Sequence, residues 1–457
     1  MSFSRIASKA RAEVLSLIGE DFVAKIAARG VLPLSIKVGA AGLSFLMFLV
    51  LARSMSPEDY GRFGFGFALA NLLAVAGSAG RRALILRYVP VYRARQSHAL
   101  RLGIIRDGYQ VVMTGCGALA IGLIALALLW PGLEARGYLV AAAALTFVLG
   151  LAEYQAPVMR TLAGTVLAQV PRDLLWRIGV ILGATLSAIG ILGPLNAMTA
   201  LSLSAGVLAG VVIGQAYCHP LTRPRTLFGK DAEFERQEWR HTALGLWGTS
   251  VVRVAAPNLA VVILGLIMAP AETAPFFAAL RTAMLLNLFL LASNLEATPR
   301  ISRLFHQGKL RKLQHLCSLL TIGVSLPTMF VFVIFALFGG RILQLFGPGY
   351  DAAWPVLMIL STGYLINALS GPTSQIMEVT GNERAYLRMI TVTNLIAIAA
   401  IWPMVHFAGS IGAAIAVTFA LAAWNTNVYR FVFKRYGIAA GIIPLHLFKK
   451  RPQDGKQ

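Results

Sequence analysis

Twelve apolar runs, each close to the length that spans a bilayer, divide this sequence. They fall near 31–52, 61–80, 108–130, 137–158, 173–192 and 195–218, then near 243–268, 275–297, 315–338, 352–376, 387–408 and 410–431. A helix rises about 1.5 Å per residue, so about 20 apolar residues cross a hydrocarbon layer roughly 30 Å thick. Inside that layer no water satisfies backbone polar groups, and a helix satisfies them internally. The predicted fold is therefore an all-α polytopic membrane protein of about twelve transmembrane helices. Composition agrees: 57% of the 457 residues are hydrophobic and 13% charged, against about 25% charged in a soluble domain.

The formal charge of +22 would suggest nucleic acid in a soluble chain. Here the cations sort by loop. Arg81, Arg82, Arg87, Arg93 and Arg95 share a side with Arg160, Arg172 and Arg177, with Arg223 to Arg240, with Arg300 to Lys312, and with both chain ends. The opposite side has only Arg53, Arg62, Arg136 and Arg341. Lys and Arg beside membrane helices stay cytoplasmic. Both termini are thus expected in the cytoplasm, and no nucleic-acid partner is expected. The opposite loops are too short for a catalytic domain, and no G-x-x-x-x-G-K-[ST] phosphate loop is present. No enzyme activity is expected.

Residues 1–30 lack a continuous apolar region, so no cleavable signal peptide is expected. Val14, Ile18, Phe22 and Ile26 recur every four residues among Lys9, Arg11, Lys25 and Arg29, the pattern of a cytoplasmic amphipathic segment on membrane lipid or protein. Cys116, Cys218 and Cys317 sit singly in or beside apolar runs and read as small core residues, not as a disulfide or metal set. No cofactor or metal is expected.

The chain also repeats. "MSPEDYGRF" at 55–63 aligns with "MAPAETAPF" at 268–276, an offset of 268 − 55 = 213 that keeps Met, Pro and Phe in register. The same offset carries the first apolar run onto the seventh. The expected organisation is an amphipathic segment 1–30, a six-helix bundle 31–218, a cytoplasmic linker 219–242, a second bundle 243–433 and a basic tail 434–457. Equal orientation of the halves puts their pseudo-twofold axis along the membrane normal, as in transporters whose site lies between repeats. Ser56, Pro57, Glu58 and Asp59 have the form of a helix start, and Gly61, Gly64 and Gly66 would permit close helix packing.

Three cations lie inside the runs: Lys37, Arg253 and Arg281. A Lys or Arg at a helix centre costs roughly 2.5–3.5 kcal/mol on insertion scales, so it faces a cavity or a partner unless its stem can snorkel to the interface. Arg253 is the deepest in sequence. Arg offers a planar fork for phosphate oxygens and Lys a compact charge, so the set suits an anion passing through the membrane. Glu153 is the acid placed deepest; it reads either as a protonation site for ion coupling or as a partner for one of these cations. Pro257 and Asn258 in the seventh run, and Gly39 and Gly42 in the first, are candidate hinges.

At this point "LARSMSPEDYGRFGFGFALANLLAVAGSAG" with "RRALILRYVP", and "LFGPGYDAAWPVLMIL", "TGNERAYLRMITVTNL" and "GSIGAAIAVTFA" in their order, resemble bacterial polysaccharide flippases of the Wzx type. Those belong to the multidrug, oligosaccharidyl-lipid and polysaccharide exporter superfamily, abbreviated MOP. The resemblance implies two six-helix bundles around a cationic cavity. It also implies transfer of an undecaprenyl-pyrophosphate-linked oligosaccharide between leaflets, with Lys37, Arg253 and Arg281 on helices that line the cavity, and a polysaccharide polymerase and chain-length regulator as partners. A drug or metabolite antiporter of the same superfamily is the alternative; such exporters use buried acids, and here buried cations outnumber them.

Overall fold

A computed structural model describes residues 20–129, 137–227, 229 and 232–441. The amphipathic reading of 1–19 and the basic tail beyond 441 lie outside the described residues. The chain is helical almost throughout. In order come α1 (Glu20–Ser54), α2 (Pro57–Gly77), α3 (Arg81–Ala94), α4 (His98–Leu129) and α5 (Gly137–Leu162). Next are α6 (Thr165–Gln169), a π turn over Val170–Leu175, α7 (Trp176–Ala188), α8 (Ala197–Tyr217) and the short α9 (Pro224–Leu227). The second half holds α10 (Arg236–Ile267), α11 (Pro270–Ala283), α12 (Asn287–His306), α13 (Leu310–Gln344), α14 (Trp354–Leu369), α15 (Thr373–Val379) and α16 (Glu383–Tyr436).

Nine described helices are long and apolar enough to cross a membrane, and α2 with α3, bent by 46° at residues 78–80, can act as one more span. Gly409, at φ 54° and ψ −133°, divides α16 in two. With α6, the π turn and α7 taken as one passage, the chain makes the twelve crossings that the sequence predicts, in two six-helix bundles. Leu126, Leu129, Phe330, Leu337, Trp402 and Phe407 stand exposed on the outside. Lipid contact accounts for an apolar exterior that water would penalise.

Several boundaries differ from the sequence reading. The first helix is already formed at Glu20, the first described residue, upstream of the apolar run expected from residue 31. The fifth passage begins at Thr165, not near 173. The second and eighth runs extend as broken helices to Ala94 and His306. The expected interruption of the seventh helix is absent: α10 runs unbroken through Pro257, and Asn258 Nδ2 donates to the Val254 carbonyl at 2.8 Å. Gly39 and Gly42 likewise sit inside continuous helix. The actual breaks are at 78–80, 170–175, 284–286, 370–372 and 409.

The repeat motif builds corresponding helix starts. Ser56 Oγ accepts the Asp59 amide at 3.1 Å, and Pro57 and Pro270 both open their helices. The halves meet here. A Cβ on Gly61 would lie 1.8 Å from the Pro270 carbonyl oxygen, and one on Gly64 would lie 2.8 Å from the Phe277 ring. Hydrogen at those positions is what lets α2 lie against α11. Tyr60 is fully buried there, with ring centroids 5.6 Å from Phe277 and 6.1 Å from Tyr350. Arg53, at the end of α1, donates through Nε to the Leu345 carbonyl at 2.5 Å and through Nη2 to that of Gln344 at 3.1 Å. A cation on the last carbonyls of α13 is favoured by the helix dipole. One end of the molecule is thus packed shut between the halves. Of the cysteines, Cys116 and Cys317 are buried as expected, whereas Cys218 is exposed just after α8.

Candidate functional site

Near the middle of the first half is a small cavity of about 140 Å³, room for a few waters or one phosphate-sized group. Its charged lining comes from Glu153 on α5, from Arg172 and Asp173 in the π turn, from Arg177 on α7 and from Arg281 on α11. The first four belong to one half and Arg281 to the other. Pro171 has no amide hydrogen to give, and the backbone around it widens to π register, a distortion that often marks functional sites. That widening puts Arg172 and Asp173, neighbours in sequence, both at the cavity.

Ion pairs knit this site. Lys37 Nζ lies 2.6 Å from Asp173 Oδ2. Arg172 bonds Glu153 Oε1, and Arg82 Nη1 sits 2.5 Å from Glu153 Oε2. Arg172 Nε and Arg177 Nη1 stand 3.9 and 4.0 Å from Asp173 Oδ1, and Arg177 also donates to the Asp173 carbonyl. The Asp173 side chain is only 7% exposed. Four cations (Lys37, Arg82, Arg172 and Arg177) therefore share two carboxylates, and with Arg281 in the cavity wall the surplus is three positive charges. Removing one partner from such a buried pair costs about 3–5 kcal/mol, because the other charge is stranded.

Arg281 is different. No carboxylate pairs with it among the described residues. Its Nε and Nη2 are buried with no hydrogen bond, and Nη1 approaches only the Met284 sulfur at 3.8 Å. The guanidinium is instead held by three rings, 4.9 Å from Phe48, 5.1 Å from Phe67 and 4.6 Å from Phe277. Each cation–π contact is worth roughly 0.5–2 kcal/mol, more as water is excluded. The rings fix the fork and leave its donors free.

The structure brings Lys37, Glu153 and Arg281 to one network, through Asp173 and the cavity wall. Arg253 is not part of it. It is exposed on α10, and its charge acts on Glu378 and Tyr386 in the second half. Glu153 is held between two guanidinium groups, the arrangement of a partner for cations. Arg172 and Arg177, assigned to a cytoplasmic loop by sequence, are instead within the fifth passage, and Asp173 was missed. The signal available was the polar string "PRDLLWR" entering an apolar run. Of the polar residues deep in other spans, Trp247 donates to the Ala76 carbonyl at 2.9 Å and Asn367 to Asn287 at 3.3 Å, which is helix packing.

Two broken six-helix bundles meeting around a charged interior define the fold. Solved structures of that fold match nearly the whole chain. One, an inward-facing multidrug resistance MATE family transporter, is 15% identical, covering 89% of this chain and 98% of its own, with a TM-score of 0.71. The outward-facing form of a MATE family transporter gives 0.64 at 15% identity, with 89% and 95% covered. A MOP superfamily transporter from Pyrococcus furiosus, reported with a binding pocket of reversed polarity, gives 0.63 at 15% identity, with 90% and 96% covered. No protein of curated function matches the sequence. The family model for polysaccharide biosynthesis proteins matches residues 28–305, and the chain belongs to that family.

Proposed function

We propose that this protein flips an undecaprenyl-pyrophosphate-linked oligosaccharide from the cytoplasmic to the periplasmic leaflet for surface polysaccharide synthesis. The observation that carries the reading is the surplus of cations around the cavity, with one unpaired guanidinium contributed by the opposite half. Pyrophosphate in an apolar interior is prohibitively costly without charged donors. Arg172, Arg177, Arg281 and Lys37 would supply them, with Glu153 and Asp173 holding the cations in place until the phosphates arrive. Arg253, exposed in the second half, is a later contact for the same headgroup. The same surplus disfavours a cationic drug, which it would repel.

The cavity as it stands is too small for a sugar headgroup, so the halves must part. The positive-inside bias puts the end sealed by Gly61, Tyr60 and Arg53 on the periplasmic side. A polymerase and a chain-length regulator would then act on the delivered glycan.

The test is transport by the purified protein in vesicles carrying a polyprenyl-pyrophosphate sugar. Access of the sugar to an impermeant lectin from the far side is the readout. Protein-dependent exposure of the sugar supports the reading; efflux of a lipophilic cation without lipid flipping replaces it with the antiporter. The topology has its own check. A reporter active only in the periplasm is expected to work when inserted at Gly347, between α13 and α14, and to stay silent at Gly308, between α12 and α13. The reverse pattern inverts the assignment of sides.

A further inference from the structure

A second charged recess lies outside the cavity just described. It has a volume of about 570 Å³ and opens between the start of α3, the first third of α4 and the start of α10. Arg81, Asp107, Gln110, Arg236 and Arg240 form its polar wall. The Arg81 side chain is 8% exposed and Asp107 is 6% exposed, with Nη2 to Oδ2 at 3.3 Å. Arg236 reaches the other carboxylate oxygen at 3.7 Å and Gln110 Oε1 at 3.4 Å. Two guanidinium groups thus share one carboxylate, with that of Arg240 beside them in the wall.

Arg81 is the informative residue. Its Nε and Nη1 are buried and make no hydrogen bond. Buried charged donors are normally satisfied, and two orphans on one guanidinium facing a recess imply a missing anion. The walls cannot collapse to remove the space. A Cβ at Gly80 would meet the Ala243 carbonyl at 2.4 Å, and one at Gly103 the Glu233 carbonyl at 1.6 Å, so the backbones already touch on both flanks.

Depth suggests the source of the anion. About 20 helical residues fill the hydrocarbon layer. Counted back from Leu129 at the end of α4 they reach position 110, and from Ile267 at the end of α10 they reach 248. Asp107 and Gln110 are then at the edge of the apolar layer. Arg240 and Arg236 stand eight and twelve residues outside it along α10, about 12 and 18 Å, and Arg236 reaches back to Asp107. That is the level of lipid headgroups, and the positive-inside bias makes it the inner leaflet. Basic recesses between helices at this depth suit anionic headgroups.

We propose that this recess binds the phosphate of an anionic membrane lipid, with Arg81 supplying the buried fork and Arg236 and Arg240 the rim. The phosphate competes with Asp107 for the arginines. Because Arg81 and Arg236 lie on different halves of the chain, a bound lipid also ties α3 to α10. The inference does not depend on which solute the protein moves.

The experiment is native mass spectrometry of the full-length, delipidated protein titrated with phosphatidylglycerol, phosphatidylcholine or inorganic phosphate. The wild type is expected to take up phosphatidylglycerol in preference to phosphatidylcholine. Replacing the two exposed rim residues, Arg236→Gln with Arg240→Gln, should weaken that uptake by roughly fivefold per arginine, the loss typical of a basic residue near an anionic surface. Arg81→Gln should do at least as much; if it fails to fold, the rim variant still decides. Asp107→Asn should strengthen uptake, since it removes the competing carboxylate. Equal uptake of the two lipids, or uptake unchanged in the rim variant, overturns the proposal. Arginine-dependent binding of inorganic phosphate with no preference for phosphatidylglycerol overturns the lipid assignment in favour of a soluble anion.

Discussion

An Arg281→Ala variant is expected to insert at near-normal abundance and to lose at least about tenfold in glycan export. The two halves of that expectation have separate grounds. Arg281 has no carboxylate to strand, so its removal leaves no uncompensated charge and takes away two unsatisfied buried donors. What stability it loses is the cation–π contact with Phe48, Phe67 and Phe277. Transport should suffer more. A hydrogen bond to a charged group is worth about 1.5–3 kcal/mol, and each 1.4 kcal/mol is about a factor of ten. Arg281→Lys keeps the charge but not the fork and should recover part of the activity. Arg172→Ala is a poorer probe, because it strands Glu153 and confounds folding with function. The measurement is surface glycan in a deletion strain, normalised to membrane protein. Normal export by Arg281→Ala at normal abundance would sink the phosphate role. A rise in export by Asp173→Asn, which frees Lys37 for substrate, would strengthen it.

The spans were legible because hydropathy is additive along a helix, and so was the helix start at Pro57. Lys37 and Arg281 stood out because a single charge inside a long apolar run needs a partner, a cavity or a stem that snorkels to the interface. Arg172 and Arg177 did not. They enter a run from its polar end, where a window of hydropathy counts arginines as loop, and only the π turn at Pro171 draws them inward. Asp173 was hidden by the same string. Arg253 shows the opposite failure. It stands out in sequence as a charge inside an apolar run, but which face of α10 it occupies depends on how that helix rotates against its neighbours. No periodicity in an almost uniformly apolar helix records that rotation. Helix breaks are hard to read from sequence for a related reason. Pro257 looks like a break, yet Asn258 bonds the Val254 carbonyl and the helix continues. The breaks at 78–80 and at 409 turn on positive φ at Ala79, Gly80 and Gly409, and sequence marks these as no more than an alanine and two glycines among 43.

Gly61→Val is expected to reduce export to near background while the protein remains in the membrane. In the structure a Cβ at residue 61 would stand 1.8 Å from the Pro270 oxygen and 2.6 Å from its carbonyl carbon. Ordinary contact begins near 3.4 Å, so α2 and α11 would have to separate by about 1.5 Å, and overpacking of this kind costs roughly 1–3 kcal/mol. The obstacle is backbone, which has no rotamer to yield. Separation there would pull Tyr60 from Phe277 and Tyr350, and loosen the Arg53 bonds to Gln344 and Leu345. The largest core runs through both halves at this end, but separate cores around Tyr154 in the first half and Ile390 in the second lie apart from it, so the bundles should survive while the sealed end opens. A transporter that must close this end in every cycle then stalls. The opening itself is measurable. Ala353 is 6% exposed beside the seal, and a cysteine placed there should resist an impermeant thiol reagent in the otherwise unchanged protein. In the Gly61→Val background it should react several times faster. Gly61→Ala, with one carbon and no branch, should be intermediate in both readouts. Unchanged export by Gly61→Val would mean that this packed end takes no part in transport. Loss of export with continued protection of position 353 would mean that the valine acts on something other than closure.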